Sequence, residues 1–226
     1  MLVLAIDTAL DACAAAILDT QAGAVVASET QTMRRGHAEA IMPIVGRVMG
    51  DGGVEFADLD RIAVTVGPGS FTGLRVGIAA ARGIALAARR PAVGLSTFAA
   101  YAAPYFAGGQ SRTVAVAIDA RHDHCYLQIF AADGSTLVTP QFASVDEVAR
   151  AAGKGSVLVV GSAAALVGAA WPTGWPPPTI EAQDAPNITW VAHLGAAAEP
   201  GRAPPKPFYL RRPDARDQAG ARLPRR

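Results

Sequence analysis

The sequence predicts an α/β protein built as two lobes of related topology, and three observations carry that expectation. A short β-rich run closing on an aspartate, then a turn, further short strands and a helix, begins near residue 2 and begins again near residue 113. Between the two, the apolar residues change from alternation to helical spacing. The chain has 226 residues, 51% hydrophobic and 17% charged, which gives room for one large domain or two small lobes and excludes a disordered or fibrous chain. With only 6% aromatic residues, the core falls mainly to small aliphatics.

Residues 2–7, 12–18 and 23–30 read as three consecutive short strands, with turns at 8–11 and 19–23. From His37 onward Ile41, Ile44, Val45 and Val48 recur at helical spacing, and Met42 and Met49 widen the stripe, so 37–49 is a helix with a broad apolar face. A strand at 61–66 runs into the loop Gly67-Pro68-Gly69-Ser70-Phe71-Thr72-Gly73. Residues 74–88 are nearly all small or aliphatic: a helix with Arg75, Arg82 and Arg89 on roughly one side, and Gly77, Ala81 and Ile84 on a bare side open to close packing. Ser70 and Thr72 are its candidate caps. A strand at 93–95 follows, then a helix that Ser96 is expected to cap.

After Pro104 and Gly108-Gly109 the pattern restarts, with strands at 113–119 and 124–130. A helix at 144–152 opens on a Ser144/Glu147 capping box, and a strand at 157–160 closes on Gly161. The proline-rich stretch 172–178 fits neither a helix nor a central strand and is expected as a surface connection. Asn187 caps a last helix to residue 198, ended by Pro200 and Gly201. The expected division is 1–104 plus 186–212 for the first lobe, 105–185 for a smaller second lobe, and 213–226 as a basic, disordered tail.

Charge and cysteine usage narrow the function classes. Lys plus Arg is 20 against 19 for Asp plus Glu, a net of +1 that excludes the dominant field of a non-specific nucleic-acid binder. From Glu199 onward, however, the chain carries a local +5, which suits either a phosphate contact or a solvated end. Cys13 and Cys125 stand far apart with no CxxC, so neither a disulfide framework nor a zinc finger is expected, and the chain reads as belonging to a reducing compartment. The apolar start lacks a basic n-region and is interrupted by Asp7 and Asp11. No stretch reaches the roughly 18 to 20 uninterrupted apolar residues of a membrane span, and the expectation is a cytoplasmic protein without a membrane contact.

Few side chains cluster into recognisable chemistry. The loop 67–73 lies between a strand and a helix, where Gly67, Gly69, Ser70, Thr72 and Gly73 could cradle an anion. It lacks the lysine and Ser/Thr of a P-loop and is not GxGxxG, which favours a structural turn. His122 and His124 could face one side, but no third ligand stands with them. Asp7 has no identifiable carboxylate or histidine partner, and Cys13 reads as a small buried hydrophobe.

Ala5-Ile6-Asp7-Thr8-Ala9, Arg35-Gly36-His37-Ala38-Glu39, the string from Gly67 to Gly77, Ile118-Asp119-Ala120-Arg121 and Tyr209-Leu210-Arg211 together resemble the TsaB, or YeaZ, family, in the right order over nearly the whole chain. The resemblance implies a two-lobed actin/sugar-kinase/Hsp70-like (ASKHA, ribonuclease H-like) fold. It also implies a role in making threonylcarbamoyladenosine at position 37 of tRNA, as the non-catalytic partner of the paralogous transferase TsaD, with the ATPase TsaE completing the assembly and tRNA met only through the complex. Active members of the fold hold nucleotide phosphates at the strand-end turns. Here Asp7, Thr8 and Asp119 remain as vestigial phosphate-site candidates, while the turn 8–12 has no glycine and Ile41 stands where a second helix histidine is needed for a metal. No metal and no required cofactor are expected, with weak nucleotide binding left open.

Helices 37–49 and 74–88 have more apolar surface than one core contact requires, and the resemblance assigns them to docking on TsaD and to self-pairing when the chain is alone. The expected interface residues are His37, Ile41, Met42, Val45, Val48, Leu74, Gly77, Ile78, Ala81 and Ile84. The rival reading is an autonomous enzyme, either an ASKHA-type ATPase or kinase using Asp7, Asp119 and Gly161, or a glycoprotease-like metallopeptidase.

Overall fold

The computed structural model describes residues 1–107, 112–153 and 155–211; Gly108-Gly109 and the basic tail 213–226 lie outside the described residues. The first half of the chain forms β1 (Leu2–Asp7), β2 (Ala12–Asp19), β3 (Ala24–Thr32), α1 (His37–Asp51), β4 (Arg61–Gly67), α2 (Phe71–Ala88), β5 (Ala92–Ser96) and α3 (Thr97–Ala107). The second half forms β6 (Thr113–Arg121), β7 (His124–Phe130), β8 (Thr136–Ser144), α4 (Val145–Ala152), β9 (Val157–Gly161), α5 (Ala164–Ala169), β10 (Thr179–Ala182) and α6 (Ile188–Ala197).

The two sheets have one topology. The first runs β3-β2-β1-β4-β5 and the second β8-β7-β6-β9-β10, each with its first three strands antiparallel and its last two added in parallel. That repeated order is the ASKHA, ribonuclease H-like arrangement, and the recurrence near residues 2 and 113 is its trace in the sequence. β1 is a continuous apolar run because it is covered on both faces. Leu4 and Ile6 enter a core with α1 and α2, while Val3 and Ala5 enter another with α6.

The last helix of each half crosses between lobes. α6 returns to the first sheet, where the Arg61 guanidinium donates to the carbonyls of Gly195, Ala196 and Ala198 at 2.7–2.8 Å and so closes the helix end. α3 lies largely within the range expected for the first lobe, yet Phe98, Tyr101, Ala102 and Tyr105 enter the core of the second sheet with Val114, Val116, Ile118 and Leu158. Beyond α6 the chain straps along the first lobe: Gly94 N–H donates to Ala203 O at 2.9 Å and Phe208 N–H to Val66 O at 2.8 Å.

Several local expectations change. Strands β8 and β10 and the short α5 are additional to those read from the sequence. Ser70 does cap α2, accepting from Gly73 N–H at 3.3 Å, whereas Thr72 lies inside the helix, which starts three residues earlier than expected. Ser96 closes β5 instead of capping α3, and its buried hydroxyl has no hydrogen-bond partner. The Ser144/Glu147 box and the Asn187 cap are present as read. Among the described residues α2 alone has the length and apolarity to cross a membrane. A count of uninterrupted apolar residues misses it because Arg75 and Arg82 break the run, and its buried side lies against the first sheet.

Candidate functional site

The glycine-rich loop is filled by the protein itself. A β-carbon on Gly69, Gly73 or Gly77 would stand 2.3, 2.1 and 2.3 Å from Ala9 O, Thr8 O and Thr8 Oγ1 respectively. Ser70 N–H donates to Ala9 O at 2.7 Å, and the Thr8 hydroxyl donates to Gly73 O at 2.7 Å. The glycines of 67–77 therefore let α2 and its leading loop seat against the β1–β2 turn, while Gly69 and Ser70 also line the pockets between the lobes. Gly161, at the end of β9, is used in the same way against Ala117 O.

Asp7 ends β1 and Asp119 lies two residues before the end of β6, and the two meet different surroundings. Asp7 is fully buried; its Oδ1 accepts from the Thr65 hydroxyl and from Ala9 N–H, and its Oδ2 has no partner. Burial pushes its carboxyl above the ordinary range, only partly offset by the Thr65 and Ala9 hydrogen bonds and the charge of His37. Asp119 is exposed and accepts from Arg121 N–H at 2.7 Å. It lines a polar pocket of about 250 Å³ between the lobes with Asp11, Asp184, Arg34 and Arg121. Three carboxylates against two guanidiniums disfavour a polyphosphate there.

The histidine pair is a turn feature. His124 Nδ1 lies 2.6 Å from His122 O and its ring stacks on Phe142 at 4.7 Å. No group of three His, Cys, Asp or Glu able to hold a metal occurs among the described residues. Cys13 and Cys125 are buried, and desolvation raises their thiols to about 11 and about 12.

The helix pair α1 and α2 holds the largest departure from expectation. Ile41, Val45, Val48, Leu74, Gly77, Ile78, Ala81 and Ile84 are buried within the lobe's own core and are not a free surface. His37 is half-buried, with Nε2 2.9 Å from Leu10 O, and Met42 alone of the ten expected interface residues is exposed. The reason is periodicity: a stripe that recurs every three to four residues marks the face turned to the sheet.

The opposite face is apolar as well. Met42 is 47% exposed and Phe56 40%, and with Ala80, Gly83 and Ala87 they border an open groove of about 550 Å³ along the two helices; Leu86, 82% exposed, lies outside that groove. An apolar groove on the outside of a lobe is the kind of surface on which binding sites occur. The sequence signal for it is Met42, a large apolar residue off the buried stripe of α1.

Comparison with known proteins adds to this geometry. The family model described as TsaD, tRNA N6-adenosine threonylcarbamoyltransferase, matches residues 20–178. The tRNA threonylcarbamoyladenosine biosynthesis protein TsaB of Escherichia coli (strain K12) is 36% identical over 126 residues, 56% of this chain and 53% of that protein, so the chain spans about half the length of the curated TsaB relatives it matches. An uncharacterized protein of Mycobacterium tuberculosis (strain H37Rv) is 34% identical over 221 residues, covering 96% of this chain and 95% of its own. Among solved structures, YeaZ from Pseudomonas aeruginosa shares the fold with a TM-score of 0.77 and 27% identity, covering 92% of this chain and 99% of that one.

Proposed function

The chain belongs to the TsaB family, and from that membership we propose that it serves threonylcarbamoyladenosine formation on tRNA as a docking subunit, seated on a TsaD-type transferase that carries the chemistry. The observation that supports this most directly is the apolar outer face of α1 and α2, with Met42 and Phe56 exposed around one groove that Ala80, Gly83 and Ala87 also line. Two helices of small and flexible residues meeting the matching pair of a homologous subunit make a four-helix seam. The same face pairs two copies of the chain when the transferase is absent.

In this reading the chain needs no cofactor or metal and transfers nothing by itself. The glycine loop is taken up by Thr8 and Ala9, and the pocket at Asp119 is too acidic for a triphosphate. A TsaE-type ATPase joins the assembly as its third component, tRNA is met through the assembled complex, and the setting is the cytoplasm.

Size exclusion with light scattering tests the docking, using this chain alone and mixed with TsaD from the same organism. The expected result is a self-dimer that converts to a one-to-one heterodimer, with Met42→Asp forming neither. A purified chain that alone transferred threonylcarbamoyl to tRNA would overturn the non-catalytic role; a chain that stays monomeric and ignores TsaD would overturn the docking.

A further inference from the structure

A second surface lies apart from the apolar groove, and docking makes no use of it. At the N-terminus of α2 the Arg75 guanidinium sits 3.7 Å above the Phe71 ring, and its Nε donates to the Tyr209 hydroxyl at 3.3 Å. Phe71 and Tyr209 are in ring contact at 5.1 Å. Across the mouth between the lobes, Phe142 on the edge strand β8 is flanked by Tyr126 at 5.9 Å and His124 at 4.7 Å, with Arg211 at 5.4 Å over its ring. Between these two clusters lies a pocket of about 280 Å³ whose walls include Arg121, Arg211 and four aromatic rings and no carboxylate.

We propose that this arginine and aromatic strip binds single-stranded RNA directly, with bases stacked on the rings and phosphates held by Arg75, Arg121 and Arg211. The inference rests on the docking-subunit reading, which gives the chain an RNA to meet, and adds to it an RNA contact of the chain's own. Tyr209 and Phe142 remain 38% and 37% exposed although each is fixed by neighbours, so their rings are presented and pre-ordered. Stacking on such rings is how unpaired bases are held, and guanidiniums beside them supply both phosphate contacts and stacking planes. The adjoining pocket of Asp11, Asp119 and Asp184 repels a polyanion and leaves the strip as the favoured track. From Arg212 the sequence continues with five arginines against two aspartates, the same sign of charge.

The test is fluorescence anisotropy of the full chain, without TsaD, on a labelled single-stranded RNA of about 12 nucleotides, within the range of such footprints. Saturable binding is expected, with log affinity falling against log salt with a slope of about −2 for three phosphate contacts on a single strand. Phe142→Ala and Arg121→Asn should each weaken it roughly ten-fold; asparagine is chosen because position 121 has φ 66°. Met42→Asp should bind RNA as the wild type does while failing to pair with TsaD, so the two readings fail separately. Absence of saturable RNA binding overturns the proposal. Salt-dependent binding left unchanged by both variants also overturns it, because the RNA then sits on residues 212–226. A strip that takes a polyglutamate peptide and not RNA is a protein-docking face, and that result overturns it as well.

Discussion

Gly73 lies so close beneath Thr8 that a β-carbon on it would stand 2.1 Å from the Thr8 carbonyl oxygen, and the Thr8 hydroxyl closes the contact by donating to Gly73 O at 2.7 Å. A glycine-rich loop between a strand and a helix invites comparison with phosphate cradles, because both need backbone without side chains. Here the close approach is made by the protein's own first turn. The loop thus joins β1, β4 and α2 into one unit, which accounts for its glycines without a phosphate.

Replacing Gly73 with alanine should destabilise the chain by about 1–3 kcal/mol, the usual range for forcing an atom into a filled site. Backbone meets backbone there, so no rotamer change relieves the clash. Gly83 is the control: it lies in the same helix with nothing within 4 Å of its would-be β-carbon. Gly83→Ala should stabilise by up to about 1 kcal/mol through helix propensity. Urea midpoints moving in opposite directions are expected, and equal shifts would sink the packing account.

Met42→Asp should leave the unfolding free energy within about 0.5 kcal/mol, as for other exposed positions, yet weaken pairing with TsaD by at least roughly 30-fold, the loss expected of an anchor in the groove. Ile41→Asp and Gly77→Arg probe something else. Ile41 is 2% exposed in the core, and Gly77 leaves 2.3 Å to Thr8 Oγ1, so both substitutions should unfold the lobe before any interface is read. Thermal melts run beside the association assay separate the two cases.

The fold is legible because each sheet opens on an apolar strand carrying an aspartate near its end, Asp7 in β1 and Asp119 in β6, and because the helices show their buried stripes. β8 is not legible because it is an edge strand with little burial and contains Pro140, and α5 because its six residues lack a side-chain cap. The expected interface stripe is buried for the reason that makes it visible: Leu74, Ile78 and Ala81 are periodic because the sheet needs them, whereas Ala80, Gly83 and Ala87 share the helical spacing but are too small to mark a face. Tyr209-Leu210-Arg211 stood out as a motif, but its place across the interlobe mouth depends on contacts with Phe71 and Phe142 far away in sequence.

Asp7 should make stability fall with pH. Burial raises its carboxyl above the ordinary value of 3.8, so the folded chain holds that proton more tightly than the unfolded one. A raised folded value means a contribution fully present below 3.8 and lost as pH climbs through the folded pKa. Asp7→Asn keeps an oxygen to accept from Thr65 and Ala9 N–H and removes the charge. The variant should therefore gain on the wild type from about pH 4 upward, by about 1.4 kcal/mol per pH unit until the folded pKa is passed, and by a constant amount above it. Urea unfolding of both chains across that range checks it, and a flat difference throughout would show that Asp7 does not titrate as its burial requires.

Arg61 ties the last helix to the first lobe, and its removal should be felt there first. One guanidinium nitrogen serves the carbonyls of Gly195, Ala196 and Ala198, three of the orphan acceptors at the end of α6. Methionine keeps most of the apolar stem and deletes the donors, so Arg61→Met should cost about 2–3 kcal/mol, the range for hydrogen bonds from a charged group. Because α6 packs on β1 and β4 through Val191 and Ala192, the loss should appear in hydrogen exchange as lower protection at 188–197, with the second sheet unchanged. Equal loss of protection in β6 and β9 would mean that Arg61 supports the whole chain cooperatively and does not act as the clasp of one helix.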